Sequence, residues 1–198
     1  RYAPATPKQF IRIDGERIIE RSIKKFKEYG DVYVIAENPE FDYLEELGCQ
    51  VVAPSETSHE LSKFMSSYYL WKDDEEVLFV WGDCYITDDA IKRIATEKPN
   101  DNFIFYGVFY ELLAMRLFKK EFNKFVKATE YIKELEDLGE GGLCGSWTLY
   151  RLLLSKDLIH HEHYTNFVKI NDESVDFDAE HELYEWLKEN PHHTGSLV

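Results

Sequence analysis

Two short runs, Val32-Tyr33-Val34-Ile35 and Val77-Leu78-Phe79-Val80-Trp81, are apolar at every position. A strand with no polar face has to be covered on both sides, which is the pattern of a parallel sheet sandwiched by helices. The segments between such runs have helical spacing. Ile19, Ile23 and Phe26 fall at i, i+4 and i+7, and Gly30 stands where a left-handed residue would close that helix. A short helix over Phe41 to Leu47 and a strand over Gln50 to Ala53 follow. The next helix, 58–71, has Leu61, Phe64, Tyr68 and Trp71 as its core face and Thr57 with Glu60 as a candidate capping box. Further on, the pattern predicts a helix over 88–95 with Asp88 and Asp89 in its first turn, a strand over 103–109, and a helix over 120–138 that turns Phe122, Phe125, Val126, Ile132 and Leu135 inward. A strand over 167–170 and a helix over 179–188 complete the alternation. This order predicts an α/β fold, a three-layer αβα arrangement with a mainly parallel mixed sheet, formed as one domain over 1–198 with residues 191–198 as a loose tail.

The chain of 198 residues can bury one sizeable core, roughly 70% of its unfolded surface by size scaling. Its 38 acidic and 23 basic side chains give a net charge of −15, and 44% hydrophobic content excludes a disordered acidic tail. A field of that sign disfavours a nucleic-acid surface or an anionic membrane, so an anionic ligand needs a local cationic pocket or a metal. No apolar run approaches the ~20 residues that span a bilayer. Cys49, Cys84 and Cys144 are odd in number and lack metal or disulfide spacing, which predicts a reducing, cytoplasmic setting.

Three segments carry chemistry. The strand over 77–81 runs into Gly82-Asp83, placing a glycine and a carboxylate at a strand's carboxyl end, where open α/β sheets bind ligands. Asp176 and Asp178, two apart on an extended segment, share one face, and Asp178 also precedes a helix, where an N-cap is the plain alternative. Arg1 and Lys8 bracket a proline-stiffened loop containing Pro4 and Pro7, a way to hold two cations beside a triphosphate.

Together these residues resemble the nucleotidyltransferases with a glycosyltransferase-A-like, Rossmann-like fold, which include the sugar-1-phosphate nucleotidyltransferases and the phosphocholine and isoprenoid cytidylyltransferases. The R-x-x-P-x-T-P-K opening, the G-D after a mid-chain strand and an acidic motif before the last helix occur in the family's order. The resemblance implies a nucleoside triphosphate and a phosphorylated small molecule as substrates, Mg²⁺ held by Asp83 and Asp178, and Arg1 and Lys8 as catalytic and nucleotide-binding cations. It assigns Gly82 and Ser66 to the nucleotide, with CTP favoured through Ser66. The sequence departs from the pattern in two places. The first strand and glycine loop are not seen, so the chain is expected to begin partway into the natural one. The late motif reads Asp178-Ala179-Glu180-His181-Glu182, without the family's proline, and Asp176 stands where the isoprenoid branch has a lysine.

Ser58, Ser62 and Ser66 form a polar stripe opposite the core face of their helix. The acceptor site is expected near the glycine loop 141–147 and the strand 103–110, with Tyr106, Trp147 and Asp176 as candidate substrate contacts and aromatic rings able to sort a choline-like cation. His160, His161, His163, His192 and His193 have no metal-ligand spacing and read as exposed loop residues. Two rival functions share the fold: a glycosyltransferase using a nucleotide sugar, whose D-x-D motif is not met by Asp83-Cys84-Tyr85, and a catalytically silent nucleotide-binding module. Oligomeric state is not readable from the sequence.

Overall fold

A computed structural model describes residues 7–57, 60–100, 102–108, 111–139, 145–156, 158 and 165–197. The chain opens with a 3-10 turn over Lys8–Phe10 and a tight hairpin, β1 (Arg12–Ile13) and β2 (Glu16–Arg17). Asp14 at φ 52° and Gly15 at φ 82° form its two-residue turn, the left-handed pair that suits a right-twisted hairpin. Helix α1 (Ile18–Phe26) buries Ile18, Ile19, Ile23 and Phe26. Contrary to expectation, Gly30 does not close it, because the helix ends at Phe26 and Gly30 keeps a negative φ. The left-handed cap falls instead at Gly48, φ 76°, after the 3-10 segment Pro39–Leu47.

Strand β3 (Tyr33–Ile35) pairs in parallel with β4 (Gln50–Val52). Helices α2 (Glu60–Ser66) and α3 (Tyr68–Trp71) replace the single helix expected over 58–71, whose start lies outside the described residues. Next come β5 (Glu76–Val80), β6 (Cys84–Tyr85), α4 (Asp88–Thr96) and β7 (Phe103–Gly107). The Thr87 hydroxyl caps α4 by accepting the Ala90 N–H. Two of the longer elements were not anticipated, β8 (Leu112–Phe118) and α6 (Ser146–Leu153), on either side of α5 (Phe122–Asp137). The chain closes with β9 (Phe167–Lys169), β10 (Val175–Asp176), α7 (Glu180–Glu189) and β11 (Gly195–Ser196).

The main sheet has the order β5-β8-β7-β9. Its β5–β8 and β7–β8 pairs are antiparallel and β7–β9 is parallel, so β5, β7 and β9 run in one direction and β8 alone runs against them, a mixed sheet with one reversed strand. β8 is reversed because a short connection after β7 returns the chain antiparallel, where a helical crossover would have kept it parallel. In this sheet β7 is fully buried and β8 is buried up to Leu117, whereas β5 is half-buried because, among the described residues, it has a strand on one side only. Residues of β7 and β8 alternate between two clusters. Phe103, Phe105, Met115 and Leu117 meet α5 and α6, while Ile104, Tyr106 and Ala114 meet Ala90, Ile91 and Ile94 of α4.

Within the expected loose tail 191–198, the described residues 191–197 are held in place. β11 pairs with β1, and the Thr194 N–H donates to the Asp14 carboxylate at 2.9 Å. Among the described residues no helix is long and apolar enough to cross a membrane.

Candidate active site

Lys8 is placed by its neighbours. Phe10 is buried against Ile19, Ile23 and Phe41, and Ile11 against Ile18, Tyr85 and Phe177, so the Lys8–Phe10 turn that leads into them has little freedom. Asp83 lies between β5 and β6. The antiparallel β6–β10 pair sets Cys84 directly opposite Asp176, and Phe177, fully buried, fixes the segment that continues to Asp178. Segments from the start, middle and end of the chain therefore meet at one point.

That point is the Lys8 ammonium. Its Nζ lies 2.9 Å from Asp83 Oδ2, 3.0 Å from Asp176 Oδ1 and 3.2 Å from Asp178 Oδ1. Lys8, Asp83 and Asp176 are largely buried, whereas the Asp178 side chain is 73% exposed. Burial works against the charged form of Lys8, but the charges and hydrogen bonds of Asp83 and Asp176 outweigh it and hold the ammonium well above the usual lysine range. For Asp176, burial and the Asp83 charge outweigh Lys8 and push the carboxyl up to about 6. Three carboxylates facing one ammonium leave a surplus of negative charge in a partly desolvated pocket.

Asp178 does not cap α7. The Asp178 and Ala179 N–H groups donate instead to the Glu182 carboxylate, at 2.6 and 2.9 Å, leaving the Asp178 side chain to Lys8. Glu182 is thus the capping residue of the late acidic motif. The Cys84 thiol is buried, and burial with the Asp83 and Asp176 charges raises its pKa, so it stays protonated beside them. Glu111, at the start of β8, is a member of this neighbourhood that sequence reasoning missed. Burial and the charges of Asp176, Asp178 and Glu182 push its carboxyl up to about 7. Its signal was a single acid ahead of the apolar run 112–118, visible only once that run is read as a strand.

The other predicted residues fall elsewhere. Tyr106 is fully buried, and its hydroxyl donates to the Glu97 carbonyl at 2.7 Å and accepts from Arg116 at 3.3 Å, so it faces the α4 side of the core and is closed to an acceptor. Trp147 stacks on Phe167 at 5.9 Å, which gives one ring face to the core. The Ser66 hydroxyl donates to its own helix at the Lys63 carbonyl, 3.1 Å away. Ser62 is buried and lines a cavity of about 170 Å³ with Leu61, Thr129, Ile132 and Lys133, so the solvated serine stripe is not formed there. Gly82 has no left-handed backbone; a Cβ there would lie 2.9 Å from Ile19 Cδ1, so α1 already fills that space. Arg1, Ser58, Gly141, Gly142, Cys144, His160, His161 and His163 lie outside the described residues.

His193, expected in an exposed loop, is mostly buried. It stacks on Trp186 at 5.0 Å, because the paired β11 segment holds it against α7.

In comparison with known proteins, the family model of the MobA-like NTP transferase domain matches residues 1–125. No curated protein sequence matches the chain.

Proposed function

The chain belongs to the MobA-like NTP transferase family, and from that premise we propose that it transfers a nucleoside monophosphate from a nucleoside triphosphate to a phosphorylated small molecule, releasing pyrophosphate. The observation that carries this reading is the convergence of Asp83, Asp176 and Asp178 on Lys8. A nonbridging oxygen of the acceptor phosphate attacks the α-phosphorus in line, the new P–O bond forms, the bond to the β-phosphate oxygen breaks, and pyrophosphate carries away that electron pair. No covalent enzyme intermediate is required.

The donor set suits a hard divalent cation such as Mg²⁺. Carboxylate oxygens of Asp83 and Asp176 lie within 4.8 Å of one another, their surplus charge is already drawn to an ammonium, and the protonated Cys84 sulfur beside them is no competitor. Asp83 and Asp176 would hold the ion, with Asp178 at the open side. When bound, it supplies charge neutralisation of the phosphates. This assigns Asp176 to the metal as well as Asp83 and Asp178, in place of a substrate contact. Lys8 then has carboxylates to share and a charge to direct at the phosphates. Its role is to stabilise the negative charge that builds on the α-phosphate and the leaving pyrophosphate. Arg1 is proposed to extend this cationic edge, and Ser66 to favour CTP. The alternation of core residues about β7 and β8 supports a three-layer reading of the fold, and the buried free thiols of Cys49 and Cys84 suit a reducing compartment such as the cytoplasm.

The test is pyrophosphate release with Mg²⁺, each of the four nucleoside triphosphates, and a panel of sugar phosphates and phospho-alcohols. Release with one base and one acceptor class, lost on chelation, is expected. Nucleotide binding without release from any pair would favour a silent module, and sugar transfer from a nucleotide sugar would favour a glycosyltransferase.

A further inference from the structure

At the opposite end of α7 from Asp178, a second group of ligating atoms converges. His192 Nε2 and His193 Nε2 lie 3.2 and 3.1 Å from the same oxygen, Glu173 Oε2. The two rings are 4.3 Å apart, and the ligand atoms of all three residues fall within 4.8 Å of one another. The other nitrogen of His193, Nδ1, lies 2.6 Å from Asp14 Oδ2, and the second Asp14 oxygen accepts the Thr194 N–H at 2.9 Å. The Tyr85 hydroxyl stands 3.5 Å from His193 Nε2.

A carboxylate on the far nitrogen of an imidazole fixes the tautomer and aims the near nitrogen, the arrangement that supports metal-ligating histidines. An imidazole that gives its one proton to Asp14 presents a lone pair at Nε2. Here that lone pair faces a carboxylate oxygen at contact distance, beside a second imidazole nitrogen aimed at the same oxygen. A cation among the three atoms turns this convergence from repulsion into coordination. Two imidazoles and one carboxylate are a donor set for a borderline divalent ion of the zinc class. The position is also built: Trp186 stacks on His193 and donates its indole N–H to the Glu173 carbonyl at 3.0 Å, holding both ligating segments from one side.

We propose that Glu173, His192 and His193, oriented by Asp14, bind a zinc-class divalent cation that clasps three segments: the β1–β2 turn, the loop leading into β10, and the His192-His193 segment that leads into β11. The site shares no residue with the Lys8 cluster and does not depend on the proposed reaction.

The experiment titrates the full 198-residue chain with Co²⁺ at neutral pH, reading the visible absorption bands of an imidazole-bound ion, and then displaces it with Zn²⁺. One equivalent is expected to bind with those imidazole bands, apart from any Co²⁺ held by Asp83 and Asp176, and to raise the melting temperature of Asp83→Asn as well as of the wild type. His192→Ala is the sharpest variant, because that side chain is 60% exposed and its loss leaves the core intact. It and Glu173→Gln should each weaken Co²⁺ at least about tenfold, and Asp14→Asn, one step removed, by about 10–100-fold. Asp83→Asn, and the triple variant His160→Ala, His161→Ala, His163→Ala, should still bind the equivalent. Failure of the wild-type chain to bind Co²⁺, or affinity unchanged in His192→Ala and Glu173→Gln, overturns the proposal. In that case the cluster is a set of ion pairs.

Discussion

Lys8 and Asp176 are separated by 168 positions in the sequence and by 3.0 Å between Nζ and Oδ1. The pair is one of three made by the same ammonium, so Lys8 answers for the stability of a carboxylate cluster as well as for any chemistry done there.

Lys8→Ala should therefore show two effects. Turnover should fall by about 10²–10³-fold, the typical value of one transition-state charge donor. Separately, the variant should melt at a lower temperature than the wild type in chelator and regain most of that loss on adding a divalent cation. Steady-state pyrophosphate release and paired melting curves check both. Near-normal turnover would remove Lys8 from the reaction.

The acidic cluster sets a pH signature with a defined sign. Asp176 is raised from 3.8 to about 6 and Glu111 from 4.5 to about 7, in both cases with burial as the first cause and neighbouring carboxylates next. Between the ordinary and the raised values the folded state holds more protons than the unfolded one, so stability from these groups declines as pH rises. It is fully present below about pH 4 and lost above about pH 7. In chelator, Asp176→Asn should be more stable than the wild type near about pH 8, with the difference shrinking toward about pH 4. The same variant should raise the Mg²⁺ concentration needed for half-maximal activity by at least about tenfold. A pH-independent difference in melting temperature would contradict the assignment.

Arg116 sits on the core side of β8 with its side chain only 4% exposed. It donates to the Ile94 and Ala95 carbonyls at 2.8 Å each and pairs with Glu76 at 2.8 Å. Removing one partner of a buried charge network costs ~3–5 kcal/mol. Arg116→Ala should show that loss in a urea unfolding series, and a cost below about 1 kcal/mol would show that water replaces the guanidinium.

Tyr106→Phe separates structure from recognition. With its hydroxyl bonded inside the core, the variant should lose about 1 kcal/mol of stability and leave the KM for any acceptor unchanged. A several-fold rise in that KM would return Tyr106 to the acceptor site.

What the sequence made legible followed from local periodicity. The Asp14-Gly15 turn, the amphipathic faces of α1 and α5, the acidic first turn of α4 and the helix at α7 all express short-range preferences that the folded chain keeps. Lys8, Asp83, Asp176 and Asp178 were found by their motifs, and the structure brings those four together. The misses have tertiary causes. Arg116 interrupts an otherwise apolar run, and only its buried partners show that 112–118 is a strand. Without that strand the one reversed member of the sheet was missed, Glu111 went unnoticed, and Tyr106 was read as a substrate contact. His193 read as a loop residue because nothing local announces that Gly195–Ser196 will pair with Arg12–Ile13.

The β6–β10 pairing has a consequence for how the protein is made. A ribosome delivers Lys8 and Asp83 long before Asp176 and Asp178, and a domain with such distant partners finds its final contacts late. An unfinished chain thus carries half a cluster, one amine and one acid close to neutrality, with little to draw a divalent ion. Emergence of residues 175–178 supplies the remaining acids together with the strand that docks them beside Cys84. The pocket becomes competent only when that segment arrives, so a product cut short before it carries the amine and one acid without the function.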